Sequence, residues 1–301
     1  MRIGVDLGGT KIEAVVLDQA GAVQWRRRVP TPRHDYDGTV RAICALVADA
    51  EREVQRTCTV GIGIPGAISP ATDTVKNANS VWLNGRPFHL DLAKALDRDV
   101  RLANDANCLA VSEATDGAAA GAAVVFAVIL GTGCGGGVVA HGRLVVGANA
   151  IGGEWGHNPL PAPRDDERPG PACYCGRSGC IETFLSGPGL AADYARRTGR
   201  AGIDAVDVVA LAAAEDEAAG VTLDRWEDRL AKSLATIINV LDPDVIVVGG
   251  GLSQVARLYT NVPARWGPYL FTDHVATRLV PAAHGDSSGV RGAAWLWDKE
   301  R

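Results

Sequence analysis

Apolar residues recur along the chain with two different periods. Continuous apolar stretches at 3–7 and 12–17 flank Gly8-Gly9-Thr10-Lys11, which predicts two strands joined by a glycine turn. From residue 40 to residue 54, apolar side chains instead fall at three- and four-residue spacing, which predicts an amphipathic helix. Further strands are predicted at 22–29, 60–64, 100–103, 124–130 and 245–248, and further helices from Ala106 onward and over 224–241. This alternation of strands and helices predicts an α/β fold.

The opening pattern of the chain occurs a second time. Val5-Asp6-Leu7-Gly8-Gly9-Thr10 has a counterpart in Val128-Ile129-Leu130-Gly131-Thr132-Gly133, where an apolar strand again ends in a glycine turn. The chain has 301 residues, a length typical of two domains. We therefore expect two related lobes that face a shared cleft, the second beginning near Ala118.

The net charge of the chain and its apolar segments limit the functions that the protein can have. The net charge of −5 argues against nucleic-acid binding, because such proteins need excess cations to displace phosphate counterions. The segment 117–140 has no charged side chain and is long enough to span a bilayer. Five of its glycines lie between 131 and 137, however, which favours strand, turn and strand. With no signal-peptide pattern at the start, the sequence predicts a soluble cytoplasmic protein without a membrane or nucleic-acid partner.

The first glycine turn has the residues of a phosphate site. Gly8 and Gly9 let backbone N–H groups approach an anion, while Thr10 adds a hydroxyl donor and Lys11 a cation. Asp6, just before the turn, is placed to hold Mg²⁺ through water. An ordinary hairpin with exposed charges is the alternative. A second turn at Gly131, Thr132 and Gly133 favours the phosphate interpretation, since two opposed turns would clamp a triphosphate.

Asn104-Asp105 follows a short predicted strand and precedes a predicted helix. Both residue types are preferred helix N-caps, so a structural role is one interpretation. In the other, Asn104 caps the helix and Asp105 is the catalytic base of phosphoryl transfer, a reaction that places little demand on proton removal. Glu154, His157 and Glu182 supply further polar groups that suit a neutral sugar, since carboxylates accept hydrogen bonds from hydroxyls; a surface charge is the alternative for each residue taken alone.

Three of the seven cysteines are clustered. Cys173, Cys175 and Cys180, with His157 upstream, have the number and chemistry of a closed tetrahedral zinc site. Three free thiols in a loop are the alternative. A zinc ion with four protein ligands would be structural and would order the loop.

Taken together, these residues resemble the ROK family of bacterial sugar kinases, within the actin/hexokinase-like superfamily. The matching motifs extend from residue 6 to residue 251 in order: Asp6-Leu7-Gly8-Gly9-Thr10-Lys11, Gly63-Ile64-Pro65-Gly66, Asn104-Asp105, Gly131-Thr132-Gly133, Glu154-Trp155-Gly156-His157, Cys173-Tyr174-Cys175-Gly176, Gly179-Cys180-Ile181-Glu182 and Gly249-Gly250-Gly251.

The resemblance implies a two-lobed α/β fold of the actin/hexokinase-like (ribonuclease H-like) type with a cleft between the lobes. The small lobe would comprise 1–117 and 290–301, with its last helix near 292–297 packing back on it, and the large lobe 118–289 with the zinc loop. Asp105 would be the base, and both glycine turns together with Gly250 would bind ATP. The implied sugar contacts are Gly66, Asn79, Asn104, Asp105, Glu154, His157 and Glu182.

Within the family, three stretches look similar to manno(fructo)kinases: 75–80, 102–113 and 284–292. The sequence thus predicts a fructokinase that uses Mg²⁺ with ATP, carries structural Zn²⁺, and phosphorylates the 6-hydroxyl of fructose, and of mannose, to give fructose 6-phosphate and ADP. N-acetylglucosamine or glucose is the alternative substrate, and a non-catalytic sugar sensor is the alternative of another class. A sugar-sensing repressor would need a helix-turn-helix before Asp6, where only five residues precede. Family members are commonly dimers, so a homodimer is expected.

Overall fold

The computed structural model describes residues 1–297 and contains two five-stranded sheets. Its strands are β1 (Arg2–Leu7), β2 (Lys11–Leu17), β3 (Val23–Pro30), β4 (Thr59–Ile64), β5 (Ala67–Ile68), β6 (Val75–Lys76), β7 (Val100–Asn104), β8 (Val124–Leu130), β9 (Cys134–Ala140), β10 (Arg143–Leu144), β11 (Val245–Gly249) and β12 (Arg278–Pro281). Its helices are α1 (Tyr36–Val54), α2 (Phe88–Leu96), α3 (Asp105–Thr115), α4 (Glu182–Leu185), α5 (Gly187–Thr198), α6 (Ala205–Ala213), α7 (Glu217–Leu241), α8 (Leu258–Ala264) and α9 (Ser288–Trp295).

The two large sheets have the same topology. The first has the order β3-β2-β1-β4-β7 and the second the order β10-β9-β8-β11-β12. In each, three antiparallel strands begin the sheet and two parallel strands complete it. The α/β fold with two related halves, predicted from the repeated glycine turn, is confirmed.

Burial explains why these segments form strands and helices. In β11, every residue is buried, as expected for a parallel strand covered on both faces. Helix α1 buries Ile43, Leu46, Val47 and Ala50 along one face, and the Asp35 side chain caps it by accepting from the Gly38 N–H at 2.8 Å.

Helix α7 begins at Glu217, seven residues before the predicted start at 224. The Asp216 side chain caps it by accepting from the Ala219 N–H at 2.8 Å. The buried residues Ala219 and Leu223 extend its apolar face toward the N-terminus. The sequence prediction was wrong there because it placed the start at the charged Asp224 and missed this cap.

Helices α3 and α9 each follow the last strand of a sheet and pack closely on each other. A Cβ on Gly292 of α9 would lie only 1.7 Å from the carbonyl oxygen of Cys108 in α3. The backbone of α9 also lies directly on the first sheet, since a Cβ on Gly4 would lie 2.0 Å from the carbonyl oxygen of Val290. Glycine is therefore required where this helix crosses both α3 and the sheet.

The C-terminal helix was predicted at 292–297; in the structure it begins at Ser288 and ends at Trp295. It packs on the sheet of the first lobe, as the sequence led us to expect. The division into 1–117 with 290–301 and 118–289 stays a prediction, and its last four residues, 298–301, lie outside the described part of the chain.

The apolar segment 117–140 forms turns and the hairpin of β8 and β9. Within residues 1–297, no helix combines the length and apolar character that a membrane crossing requires.

A buried ion network anchors the long connection between β10 and α4 to helix α7. Glu167, in this connection, accepts from Arg229 Nε at 2.7 Å and from Lys232 Nζ at 3.1 Å, and Arg229 also donates to Asp193 at 2.6 Å. Burial alone would raise the pKa of Glu167, but the Arg164 N–H, Arg229 and Lys232 lower it to about 2. The carboxylate is therefore ionised and paired throughout the neutral range.

Candidate active site

The first glycine turn is an open loop at the end of β1. Gly9, Thr10 and Lys11 are exposed, and the Gly8 N–H closes the hairpin on the Lys11 carbonyl at 3.0 Å. The Thr31 hydroxyl donates to the Gly8 carbonyl at 2.7 Å and fixes the turn from behind. The predicted hairpin is confirmed, and its exposed residues Gly9, Thr10 and Lys11 are accessible to a ligand.

Asp6 lies beneath this turn and close to a second carboxyl group. Burial, and then the negative charges of Asp105 and Glu13, raise the pKa of Asp6 to about 7. A cation placed beside this carboxyl would relieve both the burial and the repulsion. A carboxylate in such surroundings fits Mg²⁺, which takes few protein oxygens and keeps much of its water.

Asn104 and Asp105 start helix α3 at the end of β7. The Asn104 Oδ1 accepts from the Ala106 N–H at 2.9 Å and caps the helix, as predicted. Asp105 Oδ1 accepts from the same N–H at 2.8 Å. The Asp105 side chain reaches solvent, yet protein surrounds it on the remaining sides, and this burial raises the pKa of its carboxyl. A carboxyl with a raised pKa is better suited to accept a proton near neutral pH.

Glu154 marks the point where groups from distant parts of the chain meet. Burial raises the pKa of Glu154; the charges of Asp105 and Glu182 raise it further, while His157 and Lys76 lower it. These five side chains therefore share one electrostatic environment. The short turn that positions Glu154 and His157 is held on β9, where the Trp155 indole donates to the Gly135 carbonyl at 3.0 Å.

Glu182, at the start of α4, is tied to the second glycine turn. Its Oε2 accepts from the Cys134 N–H at 2.9 Å, and a Cβ on Gly133 would lie 2.8 Å from the same oxygen. The Gly131 carbonyl accepts from the Gly187 N–H at 2.8 Å, while Thr132 is exposed. The second turn and the Glu182 carboxylate are thus parts of one rigid unit.

Two further glycines of the predicted site occupy backbone positions that exclude side chains. Gly250 has φ +81°, and a Cβ there would lie 2.5 Å from the carbonyl oxygen of Leu130, so 249–251 lies beside the second turn. Gly66 has φ +79°, and a Cβ there would lie 2.3 Å from the Lys76 carbonyl oxygen. Asn104 Nδ2 donates to the Gly66 carbonyl at 3.3 Å. The exposed Asn79 follows Ala78, whose N–H lies next to Gly66.

The predicted metal ligands lie together. One ligand atom from each of His157, Cys173, Cys175 and Cys180 lies within 4.8 Å of all the others. Cys173 Sγ is 3.6 Å from His157 Nδ1, and Cys175 Sγ is 3.7 Å from Cys180 Sγ. Tetrahedral zinc with Zn–S bonds of about 2.3 Å requires sulfur atoms roughly 3.8 Å apart, so this donor set fits the ion.

The His157 ring has a second partner besides the cysteines. Its Nε2 is 3.0 Å from the Tyr174 hydroxyl, within the same loop. The imidazole thus presents Nδ1 to the cysteine cluster and Nε2 to the Tyr174 hydroxyl.

A family model described as the ROK family matches residues 2–300. This chain belongs to the ROK family. N-acetyl-D-glucosamine kinase of Escherichia coli is 42% identical over 300 residues, which cover 98% of this chain and 99% of that protein.

Solved structures agree with this assignment. The ROK hexokinase of Thermus thermophilus has a TM-score of 0.85 and 32% identity, covering 98% of this chain and 96% of its own. A ROK family glucokinase of Streptomyces griseus, in complex with glucose and AMPPNP, has a TM-score of 0.80 and 30% identity, covering 98% of both chains.

This ROK chain is an ATP-dependent sugar kinase with the two-lobed actin-like fold, as its motifs predicted. The predicted affinity with manno(fructo)kinases is not confirmed, since these relatives are named for N-acetylglucosamine, hexose and glucose.

The sequence alone did not identify two features beside the site of this ROK kinase. Lys76 Nζ donates to the Asn149 carbonyl at 2.7 Å and joins the first lobe to the loop after β10. A cavity of about 340 Å³ lies next to Asn104 and includes Asn107 in its wall. Asn107 could have been suspected, because a residue three positions after Asn104 lies on the same face of a helix.

Proposed function

We propose that this protein is an N-acetylglucosamine kinase that transfers the γ-phosphate of ATP to the 6-hydroxyl of the sugar, giving N-acetylglucosamine 6-phosphate and ADP. The observation that carries the proposal is the 42% identity to N-acetyl-D-glucosamine kinase of Escherichia coli over nearly the whole of both chains. The shared electrostatic environment of Asp105, Glu154, His157 and Glu182 supports it, because it offers a base and several acceptors for sugar hydroxyls.

In this proposal, Asp105 is the catalytic base. The oxygen of the 6-hydroxyl attacks the γ-phosphorus, the bond from that phosphorus to the β–γ bridging oxygen breaks, and the hydroxyl proton passes to the Asp105 carboxylate. The hydrogen bond from Ala106 to Oδ1 holds the carboxylate in place at the helix start. Positioning is the main requirement, since the transition state of phosphoryl transfer is loose.

The sugar is held by groups from both lobes. Glu154, His157 and Glu182 accept or donate at hydroxyls from the second lobe, while Asn104, Asn79 and the Gly66 backbone contact it from the first. Asn104 Nδ2 donates to the Gly66 carbonyl, and the Asn104 side chain also hydrogen-bonds Asp105, so it links the sugar side of the cleft to the proposed base.

The two glycine turns are assigned to ATP. Gly8, Gly9, Thr10 and Lys11 would contact the phosphates from the first lobe, and Gly131, Thr132, Gly133 and Gly250 from the second. Asp6 would hold Mg²⁺ through water, and the bound ion would neutralise phosphate charge. Lys11 and the backbone N–H groups would orient the γ-phosphate toward Asp105.

We also assign a structural zinc ion to His157, Cys173, Cys175 and Cys180. The ion would fix the loop that carries His157 and so shape the sugar side of the cleft. The purified protein should contain about one zinc per chain, and Cys180→Ser should lose it together with thermal stability. Elemental analysis that finds no zinc in folded, active protein would remove this assignment.

The decisive experiment measures ADP release with Mg·ATP on N-acetylglucosamine, glucose, mannose and fructose, with a blank lacking sugar. The highest kcat/KM on N-acetylglucosamine is expected. Highest turnover on fructose would instead restore the substrate predicted from the sequence, and the chemistry would be unchanged. If no sugar stimulates ADP release while calorimetry detects sugar binding, the protein is a non-catalytic sensor and the proposed function fails.

The homodimer expected from the resemblance is part of the same proposal. Sedimentation equilibrium should give about twice the mass of 31.4 kDa, and a concentration-independent single-chain mass would contradict it.

A further inference from the structure

We propose that Lys76 is a positioning residue for sugar binding: its ammonium holds the second-lobe loop of residues 145–153 to the first lobe and thereby fixes Glu154 relative to the sugar contacts of the first lobe. The inference rests on the proposed function, because that function makes Glu154 a sugar contact. Lys76 itself is assigned no contact with the sugar and no part in the transfer of the phosphate.

The backbone of Lys76 is fixed within the first lobe. Strand β6, which contains this residue, pairs with β5 so that Lys76 lies opposite Ala67. The Lys76 carbonyl packs directly against Gly66, where a Cβ would lie 2.3 Å from its oxygen. The preceding residue, Val75, is buried, and its N–H donates to the Arg86 carbonyl at 3.0 Å. The side chain of Lys76 therefore extends from a rigid base, and that base is next to a proposed sugar contact.

The loop of residues 145–153, which receives this side chain, is compact. The Gly152 N–H donates to the Val146 carbonyl at 2.9 Å and joins the two ends of the loop. A Cβ on Gly152 would lie 2.1 Å from the Val145 carbonyl oxygen, so these ends are in direct contact. Inside the loop, the Ala150 N–H donates to the Gly147 carbonyl at 3.2 Å. A short loop closed in this way moves as one unit.

Glu154 follows this loop directly. Its N–H donates to the Ile151 carbonyl at 3.1 Å, so the loop and the Glu154 backbone are parts of one turn. Lys76 Nζ donates to the Asn149 carbonyl, two residues before Ile151, at 2.7 Å. The contact of Trp155 with β9 fixes Glu154 within the second lobe, and Lys76 adds the connection to the first lobe.

The charge of Lys76 acts on Glu154 as well. Burial raises the pKa of Glu154, whereas the charges of His157 and Lys76 lower it, so the Lys76 ammonium lies near enough to attract this carboxylate. An ammonium has three N–H donors and can keep its hydrogen bond to Asn149 while it attracts Glu154. Both interactions draw the loop toward the first lobe, and a neutral side chain of the same length would lose the two together.

The hydrogen bond between Lys76 and Asn149 lies at the margin of a gap between the lobes. The cavity of about 340 Å³ described above is lined by Ile68 of β5 and, from the loop, by Val146 and Ala150. A cavity provides no packing between its walls, so the relative position of hairpin and loop depends on contacts at its margin. Lys76 belongs to the same hairpin as Ile68, and Asn149 is adjacent to Ala150.

The test compares two substitutions of Lys76 with a control at another lysine. Lys76→Met removes the charge and the donor but keeps the length of the side chain, whereas Lys76→Arg keeps both. Lys94→Met makes the first change at an exposed lysine in the last turn of α2. Lys76→Met is also combined with Glu154→Ala. The measurements are kcat, sugar KM, nucleotide-free sugar affinity by calorimetry, and hydrogen exchange over residues 145–153.

We expect Lys76→Met to weaken N-acetylglucosamine binding and to raise its KM about tenfold, which corresponds to about 1.4 kcal/mol, while kcat changes less than about twofold. Hydrogen exchange over residues 145–153 should become faster. Lys76→Arg should recover most of the affinity, and Lys94→Met should match the wild type. With Glu154→Ala already in place, Lys76→Met should cost less than about threefold, because the position of an absent contact no longer matters.

Two results would overturn the inference. One is unchanged sugar affinity in Lys76→Met. The other is the full loss of about tenfold from Lys76→Met in the Glu154→Ala background, which would mean that Lys76 does not act through Glu154. A wild-type enzyme that prefers glucose would instead contradict the proposed substrate. The same comparison made with glucose would then decide the role of Lys76, since it depends on the contact with Glu154 and not on the acetamido group.

Discussion

The two halves of the molecule share one topology but differ in the residues at their glycine turns. In the first half, the turn between β1 and β2 lies between charged residues of its own, Asp6 and Lys11. In the second half, the turn between β8 and β9 is uncharged and is contacted by Glu182, which belongs to α4. The repeated sheets thus supply a symmetric frame, and the segments outside the repeat supply much of the chemistry.

The helices after the last strands show the same difference. Helix α3 presents the Asp105 carboxyl at its start, in electrostatic contact with Asp6 and Glu154. Helix α9 begins with Ser288, whose hydroxyl donates to the buried Glu113 of α3 at 2.8 Å. Equivalent positions in the two halves therefore differ: one carries the proposed catalytic base, and the other hydrogen-bonds a buried carboxylate of α3.

The largest predicted effect is a loss of turnover on substitution of Asp105, the residue at which the starts of these two helices differ. Asp105→Asn should lower kcat by about a thousandfold or more, because an amide cannot take the hydroxyl proton while its size and its capping geometry are kept. Sugar affinity, measured by calorimetry without nucleotide, should change little. Ser288→Ala, at the start of α9, is the matched control and should act on stability rather than on kcat. Near-normal turnover in Asp105→Asn would show that the two helix starts do not differ in the way described.

A second prediction concerns the inserted connection that carries the metal ligands. Glu167→Gln should lower the free energy of unfolding at pH 7 by roughly 3 kcal/mol, since it leaves Arg229 and Lys232 without their buried counter-charge. The pKa of Glu167 is lowered from 4.5 to about 2, so its stabilisation is present above pH 4.5 and is lost as pH falls toward 2. The difference between wild type and variant should therefore shrink over that range.

Urea unfolding at neutral and acidic pH measures this difference. Asp165→Asn changes an exposed carboxylate in the same short turn, paired with Arg168 at 3.4 Å, and should cost under about 0.5 kcal/mol. If the two variants lower the free energy of unfolding equally, the connection between β10 and α4 is not anchored through Glu167.

The smallest predicted effect is a loss of sugar affinity. It tests whether the second glycine turn positions Glu182. Gly133→Ala should weaken nucleotide-free sugar binding about tenfold, because the new Cβ would lie 2.8 Å from Glu182 Oε2 and displace the carboxylate. A Cβ on Gly131 in the same turn meets nothing within 4 Å, so Gly131→Ala should act on nucleotide affinity alone. If both variants weaken sugar binding equally, the turn does not act through Glu182.

Much of the fold could be predicted from the sequence because its signals are local. The glycine turn between two apolar stretches predicted the hairpin of β1 and β2, and its recurrence near residue 131 predicted the second half. The start of α7 was missed, since the weakly apolar Ala219 hides the helical period before Asp224. Helix termini depend on individual caps such as Asp216, which resemble loop residues in a sequence.

The candidate site was predictable in its parts but not in its connections. Asn104-Asp105 and the Cys173–Cys180 cluster were recognisable by residue type and spacing. The hydrogen bonds from the Cys134 N–H to Glu182 and from Lys76 Nζ to the Asn149 carbonyl depend on contacts between segments distant in sequence. No local pattern encodes them. The fructose preference was inferred from the local similarity of three short stretches, whereas 42% identity over nearly the whole chain is to an N-acetyl-D-glucosamine kinase.

The packing of α9 against β1 has a consequence for the order of events during translation. The first sheet is complete at Asn104, but the helix that covers Gly4 and Gly61 begins only at Ser288, 184 residues later. Until then, Val15 and Leu17, which pack against Val290 and Trp295 in the finished protein, have no cover on that side. The amino-terminal half can therefore form the core on the other face of its sheet, which contains only residues between 1 and 102, before α9 is made. The face that α9 covers stays open until then, and chaperone binding should be concentrated on this surface of the nascent chain.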